Sequence, residues 1–137
     1  GQLISGVFEI IKGNTFSATT TLSSACFWFS FVTMWTCSSS LGCAETSNES
    51  LATFNLVRGI FTACMMVAAM KNGHLSNKIL FVAFTINFIL IAVGFYISKQ
   101  IIVQIGGSFG VISGAIGIYN GCAEILNDEF HHPIIPL

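Results

Sequence analysis

The sequence predicts an all-α, multi-pass transmembrane helical bundle. Its residues are 53% hydrophobic and only 8% charged, and its mean hydropathy is +0.79. A typical soluble domain has about 25% charged residues. The apolar runs are long enough for helices that cross a hydrocarbon core of about 30 Å, which takes about 20 residues. We therefore expect one transmembrane domain over residues 1–137, in contact with a lipid bilayer.

The chain opens with an apolar stretch over about residues 1–12, which is too short to cross the bilayer. Because this stretch is short and the first residue is Gly1 rather than Met, we expect a fragment that lacks its N-terminal part. Gly13 suits the left-handed position after a helix, and Asn14 is a strong N-cap. The pair predicts a tight hairpin between two helices.

Four complete spans are predicted to follow, over about residues 16–37, 51–70, 79–98 and 101–122, with a tail over residues 123–137. The first is rich in Ser and Thr, whose hydroxyls either bond to carbonyls of the preceding turn or line a polar path. The next loop contains Cys37 and Cys43, which lie close enough in sequence for a disulfide if the loop faces an oxidising compartment.

The lysines next to the spans predict the orientation. Lys12, Lys71 and Lys78 fall on one side and Lys99 on the other. By the positive-inside bias, the Gly13-Asn14 turn and the C-terminus are cytoplasmic, in a multi-pass protein of the plasma membrane.

The last span carries glycines at helical spacing. Small residues at such spacing let another helix approach closely, which predicts a packing face. The face comprises Gly106, Gly110, Gly114, Gly117 and Gly121.

Glu9 is the sharpest candidate for chemistry, because Gln2, Ser5 and Glu9 follow one face of the first helix. A carboxyl group beside a membrane path suits proton-coupled transport. The alternative is that Glu9 lies near the interface and forms an ion pair with Lys12.

Three polar residues of the later spans are candidates for function. Arg58 either extends to the outer headgroups or attracts an anionic substrate to a positive pore mouth. Thr85 and Asn87 either bind a small polar solute or hold neighbouring helices together.

Several function classes have no support in the sequence. The net charge is −1 and there is no basic cluster, so nucleic-acid binding is not expected. The five cysteines show no ligand spacing for zinc or iron–sulfur clusters, and no catalytic constellation occurs. We expect no enzyme activity, no metal and no cofactor.

The chain resembles the acetate uptake transporter family, the succinate–acetate permease-like proteins. The resemblance rests on Glu9-x3-Gly13-Asn14-Thr15-Phe16, Phe27-Trp28, the upstream Gln2, and Glu124-x-Leu126-Asn127-x-x-Phe130. It implies six-helix channels or proton-coupled carriers of acetate and related short monocarboxylates, assembled as homohexamers with a pore in each protomer. By this resemblance the four spans are helices three to six, and Gln2 to Lys12 ends helix two.

The resemblance also marks departures from the family. Ser24 stands where the family has a constriction tyrosine, and Phe84 falls at about the position of a constriction leucine. The family's helix-one signature is absent from the chain. These differences predict either a constriction rebuilt from other side chains, with altered selectivity, or a wider or inactive pore.

We expect a small carboxylate to pass, as the anion or with a proton, from the hydroxyl-rich face through the constriction toward Glu9. The expected substrate path comprises Gln2, Glu9, Asn14, Thr15, Thr19, Ser23, Ser24, Phe27, Trp28, Phe84, Thr85 and Asn87. Two alternatives remain, a non-conducting structural or sensory membrane protein and a pore for ammonia or another small solute.

Overall fold

The computed structural model describes residues 1–40, 46–72, 74–132 and 135–136. Within these ranges all regular structure is α-helical, which confirms the predicted fold class. The helices are α1 (Gln2–Ile11), α2 (Thr15–Ser40), α3 (Asn48–Asn72), α4 (Leu75–Tyr96) and α5 (Gln100–Glu129). They belong to two compact units, Gly1–Ser47 with α1 and α2, and Asn48–Leu137 with α3, α4 and α5.

Three of the described helices are long and apolar enough to cross a membrane, α3 over Asn48–Lys71, α4 and α5. The helix α2 has 26 residues and is long enough, but with its many Ser and Thr residues it is not among these three. Its apolar side chains are nevertheless exposed, at Trp28, Phe29, Val32 and Trp35. Such a surface suits lipid, and the crossing by α2 remains a prediction.

The hairpin of the first unit is confirmed at Gly13 and Asn14. Gly13 has φ 75°, its N–H donates to the Ile10 carbonyl at 2.9 Å, and the Asn14 N–H donates to the Glu9 carbonyl at 3.0 Å. This is the hydrogen-bond pattern of a glycine-terminated helix. The Oδ1 of Asn14 accepts from the Ser17 N–H at 3.2 Å, which caps α2.

Close packing of α1 on α2 depends on a glycine. A Cβ added to Gly6, which is buried, would meet the side chains of Leu22 and Thr21 at 2.5 to 2.9 Å. The two helices therefore approach more closely than a larger residue would permit.

In the second unit, α4 packs against both α3 and α5. The turn after α4 has the same hydrogen bonds as the Gly13 turn, with Ser98 at φ 52° in the left-handed position and the Lys99 N–H donating to the Gly94 carbonyl at 3.0 Å. This turn ends α4 at Tyr96, two residues before the predicted end of that span.

The last helix is longer than the predicted span over 101–122, since α5 continues to Glu129. No proline interrupts the sequence before residue 133, so the acidic segment that we assigned to the tail extends the helix instead. The Asn127 side chain donates to the Ile135 carbonyl at 2.8 Å and accepts from the Ile135 N–H at 2.9 Å. The Tyr119 hydroxyl donates to the Pro136 carbonyl at 2.6 Å. Residues 135–136 thus fold back along α5.

The glycines of α5 fall on two faces. A Cβ on Gly106, Gly110 or Gly117 would lie 2.9 Å from Ile91, 3.0 Å from Asn87 or 3.6 Å from Leu80, all on α4. Around Gly114 and Gly121, apart from the backbone of α5 itself and the neighbouring residues in the chain, no heavy atom of the described residues would lie within 4 Å of such a Cβ. The first three glycines pack against α4, and the packing role of the other two remains a prediction.

Cys43 lies outside the described residues, so the Cys37–Cys43 disulfide remains a prediction from the sequence.

Replacing Gly94 by alanine should destabilise the second unit. The new methyl would lie 2.6 Å from Cγ2 of Val103 and 2.8 Å from its backbone nitrogen. Overpacking of this kind costs about 1–3 kcal/mol, so we expect a lower thermal unfolding midpoint for the detergent-solubilised protein. Gly107→Ala is the matched control, because no heavy atom of the described residues would lie within 4 Å of its methyl. Equal midpoints for the two variants would contradict the packing of α4 on α5.

Candidate functional site

The hydroxyls of α2 mostly bond within their own helix. The side chain of Thr19 donates to the Thr15 carbonyl at 2.7 Å, and that of Ser23 donates to the Thr20 carbonyl at 3.1 Å. Hydroxyls that bond to the carbonyl three or four residues earlier are found at Thr19, Thr20, Thr21, Ser23, Ser30, Thr33 and Thr36. A Ser or Thr hydroxyl that donates in this way has no unsatisfied hydrogen when the helix lies in an apolar environment. The structure thus shows the first of the two predicted alternatives, in which the hydroxyls bond to carbonyls of the preceding turn. A polar path along α2 remains a prediction.

Aromatic rings follow the hydroxyl-rich segment of α2. Ser24, at the position of the expected tyrosine, is half-buried. The rings of Phe27 and Trp28 meet edge to face with centroids 5.4 Å apart, and Phe27 is stacked on Phe31 at 6.5 Å. The sequence-predicted pair Phe27 and Trp28 therefore belongs to a continuous aromatic group that also includes Phe31.

Glu9 is half-buried and lies 3.8 Å from the Lys12 ammonium, whose side chain is 73% exposed. The predicted ion pair is thus present, at a distance and exposure where such pairs contribute little stability. Gln2 and Thr15 are exposed. The structure brings Glu9 near Asn14 through the backbone of the turn, since the Glu9 carbonyl accepts from the Asn14 N–H.

In the second unit, Arg58 is held against aromatic rings. Its guanidinium carbon lies 5.3 Å from the centroid of Phe61 on the same helix and 5.9 Å from the centroid of Phe88 on α4. Both distances are within the range of cation–π attraction. Arg58 is half-buried, so its charge is anchored inside the unit and partly shielded from solvent.

The predicted constriction residue Phe84 is connected to Arg58 through one ring. Phe84 and Phe88 are stacked, with centroids 6.0 Å apart and an interplanar angle of 14°. Phe88 is buried. Phe88 was not singled out from the sequence, because a phenylalanine in an apolar span has no signal of its own.

Thr85 and Asn87 are both buried but differ in their hydrogen bonds. The Thr85 hydroxyl donates to the Phe81 carbonyl at 2.8 Å. The Oδ1 of Asn87 finds no hydrogen-bond donor among the described residues, and it would lie 3.0 Å from a Cβ on Gly110. Asn87 thus keeps an unused acceptor in a place where unsatisfied polar atoms are costly.

A second buried amide was missed by sequence reasoning. The Nδ2 of Asn120 on α5 donates to the Oδ1 of Asn77 on α4 at 2.8 Å. The bond joins the two helices, as interhelical amides commonly do in membrane proteins. The available signal was Asn120 near the end of the predicted span over 101–122, and Asn77 just before the predicted span over 79–98.

Among the described residues, no group of three or more His, Cys, Asp or Glu side chains is placed to hold a metal ion.

Comparison with known proteins gives the family. The model described as the GPR1/FUN34/yaaH family matches residues 1–137. The chain belongs to this family. One similar protein is a succinate-acetate/proton symporter SatP of Escherichia coli K12. It is 30% identical over an alignment of 137 positions, which covers 99% of this chain and 72% of that protein.

Two further comparisons extend this family assignment. The acetate permease A of Emericella nidulans is 28% identical over 152 residues, covering 99% of this chain and 50% of the permease. A solved structure of the bacterial acetate channel SatP matches with a TM-score of 0.94 and 29% identity, over 99% of this chain and 75% of that one. These findings confirm the resemblance that we drew from the Glu9 to Trp28 motif.

Replacing Asn14 by alanine should cost about 1 kcal/mol of stability, because the Ser17 N–H then loses its cap. Asn14→Ser keeps a capping oxygen and should restore the thermal unfolding midpoint. An alanine variant as stable as the wild type would contradict the capping role.

Proposed function

We propose that this GPR1/FUN34/yaaH protein transports acetate across a membrane by a channel-like route. The observation that carries the proposal is the match to a solved acetate channel, with a TM-score of 0.94 over 99% of this chain. The names of two relatives, a succinate-acetate/proton symporter and an acetate permease, support the same substrate class. Transport, and not catalysis, is then the activity of the protein.

The chemistry of the chain fits a small carboxylate substrate. A carboxylate loses much hydration energy when it enters a low-dielectric passage, and protein donors or a proton must compensate. Arg58 supplies a positive charge held in place by two rings, and this fits the role of anion attraction. We propose this role in place of an extension to the headgroups.

The residues proposed for the substrate route fall in both units. In the second unit they are Phe84, Thr85 and Asn87, of which Asn87 has an unused acceptor among the described residues. In the first unit the proposed contributors are Gln2, Glu9, Asn14, Thr15, Thr19, Ser23, Ser24, Phe27 and Trp28. Because the hydroxyl of Thr19 donates to a carbonyl of its own helix, its oxygen can still accept a hydrogen bond from a protonated acid.

Further aspects of the proposal rest on the sequence. We propose that protons are co-transported, with Glu9 as the protonatable group near the cytoplasmic end, and that the protein assembles as a homohexamer. We also propose location in the plasma membrane, with the Gly13-Asn14 turn and the C-terminus in the cytoplasm. The names of relatives support proton coupling, since one is a proton symporter.

The test is uptake of radiolabelled acetate by the intact protein in proteoliposomes, with and without an inward proton gradient. We expect uptake above that of empty vesicles, and stimulation by the gradient if protons are co-transported. Absence of acetate uptake under both conditions would overturn the proposed function.

Ser24→Tyr should narrow the passage, because Ser24 is half-buried on α2 and a tyrosine adds a ring there. We expect the ratio of butyrate to acetate uptake to fall about tenfold, in keeping with the discrimination that pocket size provides. Ser30→Tyr is the control, since Ser30 lies on the same helix and is exposed. Equal losses of both acids in the Ser24 variant would argue against a constriction at this position.

A further inference from the structure

The buried ring of Phe88 contacts two residues that the sequence singles out separately. One is Arg58 on α3, proposed to attract the anion, and the other is Phe84 on α4, proposed to narrow the passage. The role of Phe88 is assigned neither by its own sequence context nor by the function proposed above.

A glycine on α3 explains why the ring reaches Arg58. Gly59, the residue after Arg58, is buried, and a Cβ built on it would lie 3.4 Å from Cβ of Phe88 and 3.4 Å from Cγ1 of Ile89. With no side chain at this point, α4 approaches α3 closely. The ring of Phe88 is thereby placed beside the guanidinium of Arg58.

The charge of Arg58 lies near one ring of α3 and one ring of α4. The guanidinium carbon of Arg58 lies 5.3 Å from the ring of Phe61 and 5.9 Å from the ring of Phe88. Phe61 is on the same helix as Arg58, so it cannot fix the charge relative to α4. Phe88 is on α4 and is only 7% exposed, so its ring fixes the Arg58 charge relative to α4.

The ring of Phe88 is also stacked on the ring of Phe84. Parallel rings with centroids 6.0 Å apart form a favourable aromatic pair. The same ring therefore places the Arg58 charge at a fixed position relative to Phe84.

We propose that Phe88 is a positioning residue for transport, which holds the Arg58 guanidinium at the proposed constriction through a cation–π contact. This inference rests on the proposed function for its effect on acetate. Without the ring, the long arginine side chain can relax toward the headgroups, as such side chains do at membrane interfaces. Attraction of the anion then weakens, while the rate of passage at saturation changes little.

The experiment is a double-mutant cycle on the intact protein in proteoliposomes, using Phe88→Leu, Arg58→Gln and the double variant. We expect Phe88→Leu to raise the KM for acetate about tenfold, the equivalent of a strong cation–π contact, with little change in the maximal rate. In the Arg58→Gln background the same substitution should have no further effect on KM, because the charge that it positions is gone. Phe88→Trp keeps an aromatic face at this position, so its KM for acetate should be close to that of the wild type.

Phe95→Leu is the matched control. Phe95 lies on α4, two turns after Phe88 and half-buried, and its replacement should leave KM unchanged. Additive effects of Phe88→Leu and Arg58→Gln on KM, or a KM for Phe88→Trp as high as that for Phe88→Leu, would overturn the positioning role. The proposed function would still stand in that case, provided that the wild type takes up acetate.

If the wild type carries no acetate, the proposed function fails and the same four proteins still test the contact. Thermal unfolding should then show non-additive effects of the two substitutions. Additive effects on unfolding would overturn the contact itself.

Discussion

Hydrocarbon offers no hydrogen-bond partners, and every polar group that a helix carries into it must be satisfied by the protein. This constraint explains how α2, with its many hydroxyls, can have exposed Trp28, Phe29, Val32 and Trp35 and still suit lipid. Its hydroxyls bond to carbonyls of the preceding turn, as Thr33 does to Phe29 at 2.8 Å. The polar composition of α2 is therefore compatible with a membrane helix without requiring a wet face.

The same constraint separates the polar groups of the second unit. The Thr85 hydroxyl donates to its own helix, and Asn120 bonds to Asn77 across helices. Arg58 lies against two rings, and the Oδ1 of Asn87 has no donor among the described residues. The Oγ of Ser76 and the Oδ1 of Asn120 are also without a hydrogen-bond partner among the described residues. Arg58 and Asn87 offer a cation and an amide acceptor. This pair is suited to a small acid, which presents a carboxylate in one protonation state and a hydroxyl donor in the other.

Local signals predicted the fold well. The Gly13-Asn14 turn and the apolar helices follow from backbone preference and hydropathy, which need no knowledge of neighbours. The glycine stripe was predicted less completely, because four residues advance a helix by about 40° beyond one full turn. Gly106 and Gly117 therefore share the face toward α4, while Gly114 turns away from it. Which face is used depends on the partner helix, and spacing alone does not show that.

The candidate site was predictable where a polar residue interrupts an apolar span. Arg58, Thr85 and Asn87 were found in this way, but their hydrogen bonds could not be read from the sequence. Phe88 could not be singled out at all, since its role depends on Gly59 bringing two helices together.

The unused acceptor of Asn87 is central to the proposed solute route. Acetate uptake by Thr62→Val and Asn87→Ser compares a buried hydroxyl that bonds within its own helix with a buried acceptor that has no donor among the described residues. We expect Thr62→Val to keep wild-type uptake, because its hydroxyl donates to the Arg58 carbonyl at 2.8 Å and Thr62 is not on the proposed route. Asn87→Ser should lower uptake about tenfold, since the new hydroxyl bonds to its own helix and the amide acceptor is lost. Equal uptake by the two variants, or a larger loss for Thr62→Val, would contradict this role of Asn87.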